Sequence, residues 1–378
     1  MAARPTVVAA AANDDDVRWM DHALGLARRG LGRVWPNPAV GCVIVSAAGH
    51  VAGRGWTQPG GRPHAEAMAL AQAGDAARGA TAYVSLEPCA HHGRTPPCAE
   101  ALIAAGVARV VAPMIDPDPR VSGRGFAALE ASQVQVEIGC RAAEAEALNA
   151  SFLMRQRTGR PRLTLKLATT LDGRIATAAG ESRWITGPAA RRRVHLMRAT
   201  HDAVLIGAGT ARADDPMLDV RELGLAAAPV RVVADGSLSL PLESRLGDSA
   251  GDPPLWLAHT EAAEEARRRA WTARGAVLLA TEGEAQTLDL SALLSALGSR
   301  GITRVLCEGG GRLAAGLLGA GLVDEIALFS AGRVLGSDAL AAVGDLGLEA
   351  LADAPGFRLT AETRIGDDTL TIWERGDD

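Results

Sequence analysis

Short apolar runs alternate with helix-like segments along the first 157 residues. Val- and Ile-rich runs bounded by Gly or Pro predict strands at 39–46, 81–86 and 108–113, with 51–56 as the hairpin partner of the first. Ala-rich or amphipathic segments predict helices at 14–29, 65–73 and 98–106, and a further helix, strand and helix continue to 157. This alternation predicts an α/β layered domain.

The alternation restarts after a Gly- and Pro-containing segment, 158–162, which we interpret as a linker. Beyond it the pattern predicts helices at 188–200 and 312–321, strands at 163–171 and 323–331, and a strand that leads into a glycine turn at 302–311. Residues 202–210 and 229–235 are each predicted as a strand followed by a turn. We therefore predict a loose N-terminal tail (1–13), a first α/β domain (14–157), the linker, and a second α/β domain (163–378).

Composition and charge narrow the possible classes of protein. The chain is 48% hydrophobic and 22% charged, which is typical of globular proteins. A net charge of −5 argues against a nucleic-acid binder but allows a small anionic substrate held by a local Arg cluster. Five cysteines are an odd, sparse set that does not suggest a disulfide framework, and no apolar stretch approaches the roughly 20 residues that span a bilayer. We expect a cytoplasmic protein without nucleic-acid or membrane partners.

His64, Cys89 and Cys98 form a set of potential zinc ligands. One imidazole and two thiolates leave the fourth tetrahedral position to water, as in catalytic rather than structural zinc sites. Zinc lowers the pKa of its bound water to about 7. Glu66 lies two residues after His64 and can shuttle the proton without ligating the metal, as in zinc deaminases, where H-x-E precedes P-C-x-x-C. The pattern predicts hydrolytic removal of an amino group from a nitrogen heterocycle with one zinc ion.

The spacing of the two cysteines departs from that deaminase pattern. Eight residues, AHHGRTPP, separate them instead of two. The inserted loop carries His91, His92, Arg94 and Thr95, which are either substrate contacts or residues that support the loop. Asn37, between two prolines ahead of the first strand, can bind a base edge because its amide both donates and accepts; the alternative is a turn residue.

The second domain carries weaker signals. Residues 309–311 are glycines between a strand and a helix, where backbone N–H groups can approach phosphate oxygens. No opening βαβ unit precedes them, which argues against a Rossmann domain. Glu308, just before the turn, can bind a sugar hydroxyl or an ammonium, and Lys166 is either an edge-strand charge or functional. Three arginines can meet a phosphate if their segments converge: Arg198, Arg212 and Arg221.

Several longer motifs resemble the bacterial bifunctional riboflavin-biosynthesis deaminase/reductases of the RibD type. In the first domain they are PNPAVGCVIV, HAEAMAL and TAYVSLEPCAHHGRTPPC. In the second they are LKLATTLDGRIA, GESRWITG, ADDPMLDVR and CEGGGRLAAGLL. The resemblance covers almost the whole chain in the same order, and the long inter-cysteine loop distinguishes this family from cytidine and adenosine deaminases.

The resemblance implies a cytidine-deaminase-like three-layer α/β/α domain followed by a dihydrofolate-reductase-like α/β domain. The first would hydrolyse the 2-amino group of 2,5-diamino-6-(5-phosphoribosylamino)pyrimidin-4(3H)-one to give 5-amino-6-(5-phosphoribosylamino)uracil. The second would use NADPH to reduce the ribosyl side chain to ribityl. The resemblance also implies a homo-oligomer, either a dimer or a tetramer.

Residue by residue, the resemblance assigns the metal to His64, Cys89 and Cys98, and the proton shuttle to Glu66. Positions that resemble NADPH contacts are Ala168, Trp184, Thr210, Asp214, Gly310, Gly311, Arg312, Leu313, Ala314, Ala315 and Gly316. Positions that resemble substrate contacts are Ser182, Arg198, Leu218, Arg221 and Glu308, and Asn37 joins them as a predicted substrate contact. Lys166 and Asp214 are hypothesised to handle the proton that accompanies hydride transfer.

Three other functions stay open on sequence alone. The first is a deaminase of free nucleosides or transfer RNA with an unrelated C-terminal domain, which the net charge and the second-domain motifs disfavour. The second is a non-catalytic protein stabilised by structural zinc, which would have no use for Glu66. The third is a working deaminase joined to an inactive reductase.

Overall fold

The computed structural model describes residues 13–92, 96–225, 228–284 and 287–376. The chain divides into two compact units, Met1–Thr158 and Gly159–Asp378. Of the predicted tail, residues 1–12 lie outside the described residues, as do Arg94 and Thr95 of the inter-cysteine loop. Asn13 belongs to the first helix, because its side chain accepts a hydrogen bond from the amide of Asp16 and caps the helix.

The first unit contains a five-stranded mixed sheet. Its strands are β1 (Gly41–Val45), β2 (Val51–Trp56), β3 (Thr81–Val84), β4 (Arg109–Ala112) and β5 (Gln135–Ile138), in the order β2-β1-β3-β4-β5. β1 is antiparallel to β2 and β3, whereas β3, β4 and β5 run parallel. The helices are α1 (Asp14–Ala27), α2 (Ala65–Ala73), α3 (Cys98–Ala104), α4 (Arg124–Ala131) and α5 (Ala142–Thr158).

Apolar cores on both faces of this sheet give the three layers that the family resemblance implied. On one face, Met20 of α1 and Ala145 of α5 pack with Val43. On the other face, helices α2, α3 and α4 pack against the sheet, where Phe126 and Ile44 belong to one buried cluster. Neighbouring residues of β1 therefore point into different cores, which is why the strand is apolar along its whole length.

The second unit is built on a longer sheet. Its strands are β6 (Arg162–Thr170), β7 (Arg174–Ala176), β8 (Ala203–Gly207), β9 (Val230–Ala234), β10 (Leu255–His259), β11 (Val277–Ala280), β12 (Gly283–Glu284), β13 (Thr287–Leu288), β14 (Arg304–Cys307), β15 (Glu325–Ala331), β16 (Leu340–Ala341), β17 (Phe357–Ile365) and β18 (Asp368–Arg375). The helices are α6 (Pro188–Ala199), α7 (Ala208–Asp214), α8 (Arg245–Asp248), α9 (Glu265–Ala273), α10 (Leu290–Ser299) and α11 (Gly311–Gly319).

Nine of these strands form one sheet in the order β11-β10-β9-β8-β14-β6-β15-β18-β17. The strands from β11 to β15 are parallel, and β18 and β17 add an antiparallel hairpin at one edge. Lys166 lies on β6, between β14 and β15. The edge-strand alternative for Lys166 is therefore wrong, because both neighbours of its strand are present.

The predicted elements coincide with observed ones in both units, with boundaries that differ by a few residues. α5 ends at Thr158 and β6 begins at Arg162, so the predicted linker overlaps one residue of each element. Sequence reasoning assigned no elements to the segment 240–300, which contains α8, α9, α10 and four short strands. None of the helices described combines the length and apolar character of a bilayer-spanning segment.

Candidate functional site

The three predicted metal ligands meet in the first unit. His64 is the N-cap of α2, Cys98 is the first residue of α3, and Cys89 follows β3. His64 Nδ1 lies 3.6 Å from Cys89 Sγ and 3.4 Å from Cys98 Sγ, and the three ligand atoms all lie within 4.8 Å of one another. One nitrogen and two sulfurs at these separations suit a tetrahedral zinc ion.

Close packing of α2 against β2 sets the position of His64. A Cβ atom at Gly55 would lie 2.1 Å from the carbonyl oxygen of Ala65, and one at Gly53 would lie 2.0 Å from that of Ala69. Only glycine allows the helix backbone to approach the strand this closely. The first turn of α2 is thereby held at the end of the sheet where Cys89 emerges.

Glu66 lies in the first turn of α2 and is only 3% exposed. Burial, followed by the negative charge of Cys89, raises the pKa of Glu66 to about 6. Hydrogen bonding from Cys98, together with the His64 imidazole, lowers the pKa of Cys89 to about 4. A buried carboxyl with a raised pKa beside metal-ligating thiols is suited to accept and return a proton near neutral pH.

A cavity of about 210 Å³ opens beside these residues. Asn37 lines it, and the Asn37 amide lies against Gly61, where a Cβ would be 1.7 Å from Nδ2. Asn149 of α5 holds the same turn, because its side-chain amide accepts from the amide of Ala39 at 3.1 Å and donates to its carbonyl at 3.2 Å. The structure thus places Asn37 in one cavity with His64, Cys89 and Glu66.

The inter-cysteine loop contributes unevenly to this cavity. His91 lines it, whereas the more exposed His92 lies 3.5 Å from Glu100 at the start of α3. Sequence reasoning missed two acids of the cavity wall, Asp116 and Asp118, which it placed only in a loop. The Asp-Pro-Asp-Pro sequence at 116–119 could have indicated them. Prolines restrict the backbone around each acid, which favours a fixed loop that presents the two carboxylates.

In the second unit, Arg198 of α6 and Glu308 at the end of β14 form a buried ion pair. Arg198 Nε lies 2.5 Å from Oε1 of Glu308, and Nη2 lies 2.8 Å from Oε2. Burial alone would raise the pKa of Glu308, but Arg198 lowers it below its usual value. Burial lowers the pKa of Lys166, and the negative charges of Glu308 and Asp214 oppose that shift. Four predicted residues therefore form one electrostatic cluster.

The segment after α7 joins this cluster through the backbone of Asp219. The Asp219 carbonyl accepts a hydrogen bond from Arg198 at 3.0 Å, and its carboxylate accepts one from Arg221 at 2.9 Å. Leu218 is buried and has a φ of 55°, so the chain turns sharply before Asp219. His195, which the sequence did not single out, lies 3.2 Å from the same carbonyl.

The predicted phosphate turn lies between β14 and α11. Gly309 and Gly310 have φ values of 108° and 94°, which favour glycine, and Gly310 is the N-cap of α11 without a side-chain cap among the described residues. A Cβ at Gly310 would lie 3.0 Å from Oγ1 of Thr210 on α7. The Thr210 hydroxyl therefore lies beside the first turn of α11, and the N–H groups at a helix start are suited to bind an anion.

The other predicted residues of the second unit contact several different segments. The exposed Trp184 ring has the Arg191 guanidinium 4.5 Å from its centroid. Arg183, between Ser182 and Trp184, donates to the carbonyl of Asp214 at 3.3 Å and so links this segment to α7. Ala168 packs against the buried cluster that contains Phe329. Arg212, unlike Arg198 and Arg221, contacts Ser239.

Along α11, the predicted positions differ in exposure. Arg312 is exposed, whereas Ala314 and Ala315 are buried against the sheet. Leu313 lies against Gly207, at 3.7 Å from the position of an added Cβ. These small and apolar residues bring the first turn of the helix close to β8.

Comparison with known proteins assigns each unit to a domain family. Residues 161–371 match the RibD C-terminal domain, and residues 13–114 match the zinc-binding region of cytidine and deoxycytidylate deaminases. The chain is similar to the riboflavin biosynthesis protein RibD of Escherichia coli (strain K12), with 46% identity over 365 residues that cover 93% of this chain and 97% of the relative. It is 37% identical to the RibD of Aquifex aeolicus, with coverage of 95% and 98%.

Solved structures agree with these sequence comparisons. Acinetobacter baumannii RibD, form 2, superposes with a TM-score of 0.84 at 38% identity and covers 96% of this chain and 99% of its own. A diaminohydroxyphosphoribosylaminopyrimidine deaminase/5-amino-6-(5-phosphoribosylamino)uracil reductase of Thermotoga maritima superposes with a TM-score of 0.82 at 32% identity and the same coverage. The predicted fold class is confirmed for both units.

Proposed function

Because the chain belongs to the RibD family of bifunctional deaminase/reductases of riboflavin biosynthesis, we propose how its residues divide two successive reactions between the two units. The enzyme combines a zinc-dependent deaminase with an NADPH-dependent reductase. Its deaminase substrate is 2,5-diamino-6-(5-phosphoribosylamino)pyrimidin-4(3H)-one. Water replaces the 2-amino group, ammonia leaves, and the reductase then converts the ribosyl side chain of the product to ribityl.

The observation that carries the first reaction is the cluster of His64, Cys89 and Cys98 with Glu66 beside it. These three side chains would hold zinc, which when bound supplies activation of water at neutral pH. The Glu66 carboxylate accepts the proton of the attacking water and returns it to the departing nitrogen. Asn37 orients the heterocycle in the cavity, since its amide can pair with both donors and acceptors of a base edge.

The second reaction depends on NADPH, which when bound supplies a hydride. The backbone of 310–316 and the hydroxyl of Thr210 would hold a phosphate of NADPH, and Ala168, Trp184 and Asp214 would contact the rest of the cofactor. Ser182, Leu218 and Arg221 contact the substrate, and Arg198 and Glu308 contact it as a preformed ion pair. Lys166, whose pKa burial lowers, supplies the proton that accompanies the hydride, with Asp214 as its partner.

We propose a domain division at 14–157 and 163–378, with 158–162 as the linker. A cytoplasmic location fits the free state of all five cysteines, since disulfides are rare in reducing compartments. The ligands are small phosphorylated molecules rather than nucleic acid, in keeping with the net charge of −5.

We also propose that the enzyme is a homo-oligomer. The edge strand β17 has seven consecutive exposed residues, 358–364, and an exposed edge strand is a template for pairing with another chain. The register of β17 with β18 is irregular between Leu359 and Ala361, so the regular part of this edge runs from Ala361 to Ile365. Light scattering should give a dimer or tetramer for the wild type, and a smaller assembly for Glu362→Pro.

The experiment that tests the two reactions supplies the diamino substrate with and without NADPH, before and after removal of zinc. We expect ammonia release without NADPH, loss of that release after chelation, and NADPH oxidation only once deaminated product is present. Deamination that persists after complete zinc removal would contradict the role of the His64 cluster. Absence of NADPH oxidation on the deaminated product would remove the second activity.

A further inference from the structure

A buried carboxylate next to the metal ligands has no role in the two reactions described. Glu87 lies between β3 and Cys89 and is only 3% exposed. Both of its oxygens accept backbone hydrogen bonds from one distant loop, residues 116–125. Oε2 accepts from the amides of Asp116 at 3.0 Å and Gly123 at 2.9 Å, and Oε1 accepts from Gly125 at 2.9 Å. A carboxylate that receives three backbone donors from one loop holds that loop in a single position.

A second contact joins the loop to the same turn. A Cβ atom at Gly125 would lie 2.0 Å from the carbonyl oxygen of Pro88 and 3.1 Å from Oε1 of Glu87. The start of α4 therefore lies directly against the residue that precedes Cys89. Gly123, the N-cap of α4, has a φ of 82°, which lets its amide turn toward Glu87.

The loop held in this way forms one wall of the deaminase cavity. Asp116 and Asp118 both line the cavity and are 7% and 6% exposed. Their positions depend on each other, since the amide of Asp118 donates to Oδ1 of Asp116 at 2.9 Å. Arg120, which also lines the cavity, donates to Asp118 through Nη2 at 2.5 Å. A continuous series of hydrogen bonds therefore connects Glu87, through Asp116 and Asp118, to Arg120 at the cavity edge.

We propose that Glu87 is a positioning residue of the deaminase: it fixes the wall formed by 116–120 at a set distance from the metal ligands. The same three-residue turn, Glu87 to Cys89, carries a metal ligand at one end and the wall at the other. Substrate bound in the cavity would lie between the metal-ligand turn and this wall, and the Glu87 side chain sets the distance between the two segments. The inference rests on the proposed deaminase activity and adds a residue that lines the cavity beside Cys89 and acts by holding the backbone of 116–125.

Glu87→Gln tests this role with almost no change of shape. Both oxygens of Glu87 accept N–H groups, so either orientation of the Gln amide places its NH₂ against a backbone donor. We expect the deaminase kcat/KM to fall about 10- to 100-fold, mainly through KM, because the metal ligands and Glu66 keep their places. Zinc should stay at one ion per chain, the reductase constants should stay within about twofold, and hydrogen exchange of the 116–125 amides should speed up.

Gly125→Ala is the second variant. Its added Cβ would push the start of α4 away from Glu87 and the Pro88 carbonyl, so it weakens the same contact from the α4 side. It should repeat the KM effect even if Glu87→Gln fails to fold. Gly25→Ala in α1, where an added Cβ meets nothing within 4 Å, is the matched glycine control. Asp202→Asn in the reductase unit is the control for loss of a buried carboxylate that accepts backbone N–H groups, and it should leave deamination unchanged.

The outcomes separate this inference from the proposed function. A wild-type enzyme without deaminase activity contradicts the proposed function. Wild-type activity that both variants match within twofold overturns the role of Glu87, whatever the exchange rates show. Loss of zinc from both variants also overturns it, because Glu87 would then support the metal ligands rather than the wall.

Discussion

Two buried carboxylates, one in each unit, show how differently the two sites are built. Glu66 lies beside two thiols, and burial raises its pKa to about 6. Glu308 is also largely withdrawn from solvent, with 9% of its side chain exposed, but the Arg198 guanidinium at 2.5 Å lowers its pKa. The first carboxyl is poised to exchange a proton, whereas the second is kept charged as part of a binding surface. Burial alone therefore does not assign a role to an acid; the charge beside it does.

The two sites also differ in how the chain assembles them. The metal ligands and Glu66 come from one stretch of 35 residues, His64 to Cys98, at two helix starts and one strand end. The reductase cluster comes from β6, α6, α7 and the end of β14, which meet because β6 pairs with β14. A local site can be recognised as a motif, while a site of this second kind depends on the order of strands in the sheet.

The largest expected effect is on the proton carrier of the first site. Glu66→Gln keeps the size of the side chain but cannot exchange the proton, so deamination should slow by about 10²- to 10⁴-fold. Steady-state ammonia release measures this, with zinc content as the control for an intact metal site. Reduction of separately supplied deaminated product should be unaffected. Equal loss of deaminase and reductase activity would indicate general misfolding and would not support a proton-carrying role specific to Glu66.

The second prediction concerns the charged pair of the other site. Arg198→Met leaves Glu308 buried without its cation, which should lower the free energy of unfolding of the reductase unit by about 3–5 kcal/mol and raise KM for the deaminated product. Arg198→Met combined with Glu308→Leu should regain much of that stability but not the KM. Denaturation curves and reductase kinetics measure the two effects.

An exposed ion pair is the matched control for that experiment. Arg269 and Glu265 are 76% and 67% exposed on α9, so Arg269→Ala should change stability by no more than about 1 kcal/mol. If Arg198→Met costs no more than this control, the pair is not the buried anchor that its geometry indicates.

The third prediction tests the proton in the reductase. Lys166→Ala and Asp214→Ala should each lower reductase turnover by about 10²-fold, because Lys166 supplies the proton and Asp214 is its partner. Single-turnover NADPH oxidation on the deaminated product isolates this step, and deamination serves as the internal control. Full turnover in both variants would remove these residues from the chemistry and leave the Arg198–Glu308 pair as a pure binding element.

The last prediction is a pH dependence of the stability of the second unit. His201 is 3% exposed, with Nδ1 2.7 Å from the Met197 carbonyl, and burial, followed by the positive charge of Arg304, lowers its pKa to about 3. The unfolded chain binds a proton below about pH 6.5, whereas the folded unit does not until about pH 3. Stability from this group is therefore complete above pH 6.5 and falls by up to about 1.4 kcal/mol per pH unit below it.

His201→Gln should flatten this slope between pH 6.5 and 4. Urea unfolding followed by hydrogen exchange of the β14 amides measures it in the second unit alone, and His50→Gln, at an exposed turn of the first unit, controls for the loss of a histidine. An unchanged slope would show that the folded unit does not hold the imidazole neutral. Burial would then favour the neutral form of Glu66 but not that of His201.

Much of the fold followed from the sequence. Strand β1 is apolar at every position because it is buried on both faces, and the helix starts at Ala65 and Cys98 follow from helix-forming segments behind a histidine and a proline. The metal ligands and Glu66 could be named because their chemistry depends on residue type and on short spacings, which a linear pattern preserves.

The position of Lys166 could not be settled in the same way. A lysine in an apolar strand has the same pattern at an edge as in the centre of a sheet, and only the pairing of β6 with β14 and β15 decides between them. The acids of the cavity wall escaped detection for a related reason. Asp116 reaches the cavity because Glu87, 29 residues earlier, accepts its amide, and no local pattern records that contact.

The sequence by itself therefore determined the two α/β units, the zinc chemistry and the family. It did so because helix and strand periodicity and the ligand motif act over a few residues. Only the tertiary structure decided that Arg198 neutralises Glu308, 110 residues away, and that Glu87 holds the wall opposite the metal ligands. Those contacts join segments that are distant in the chain, and their energies depend on burial that exists only after the sheets have formed.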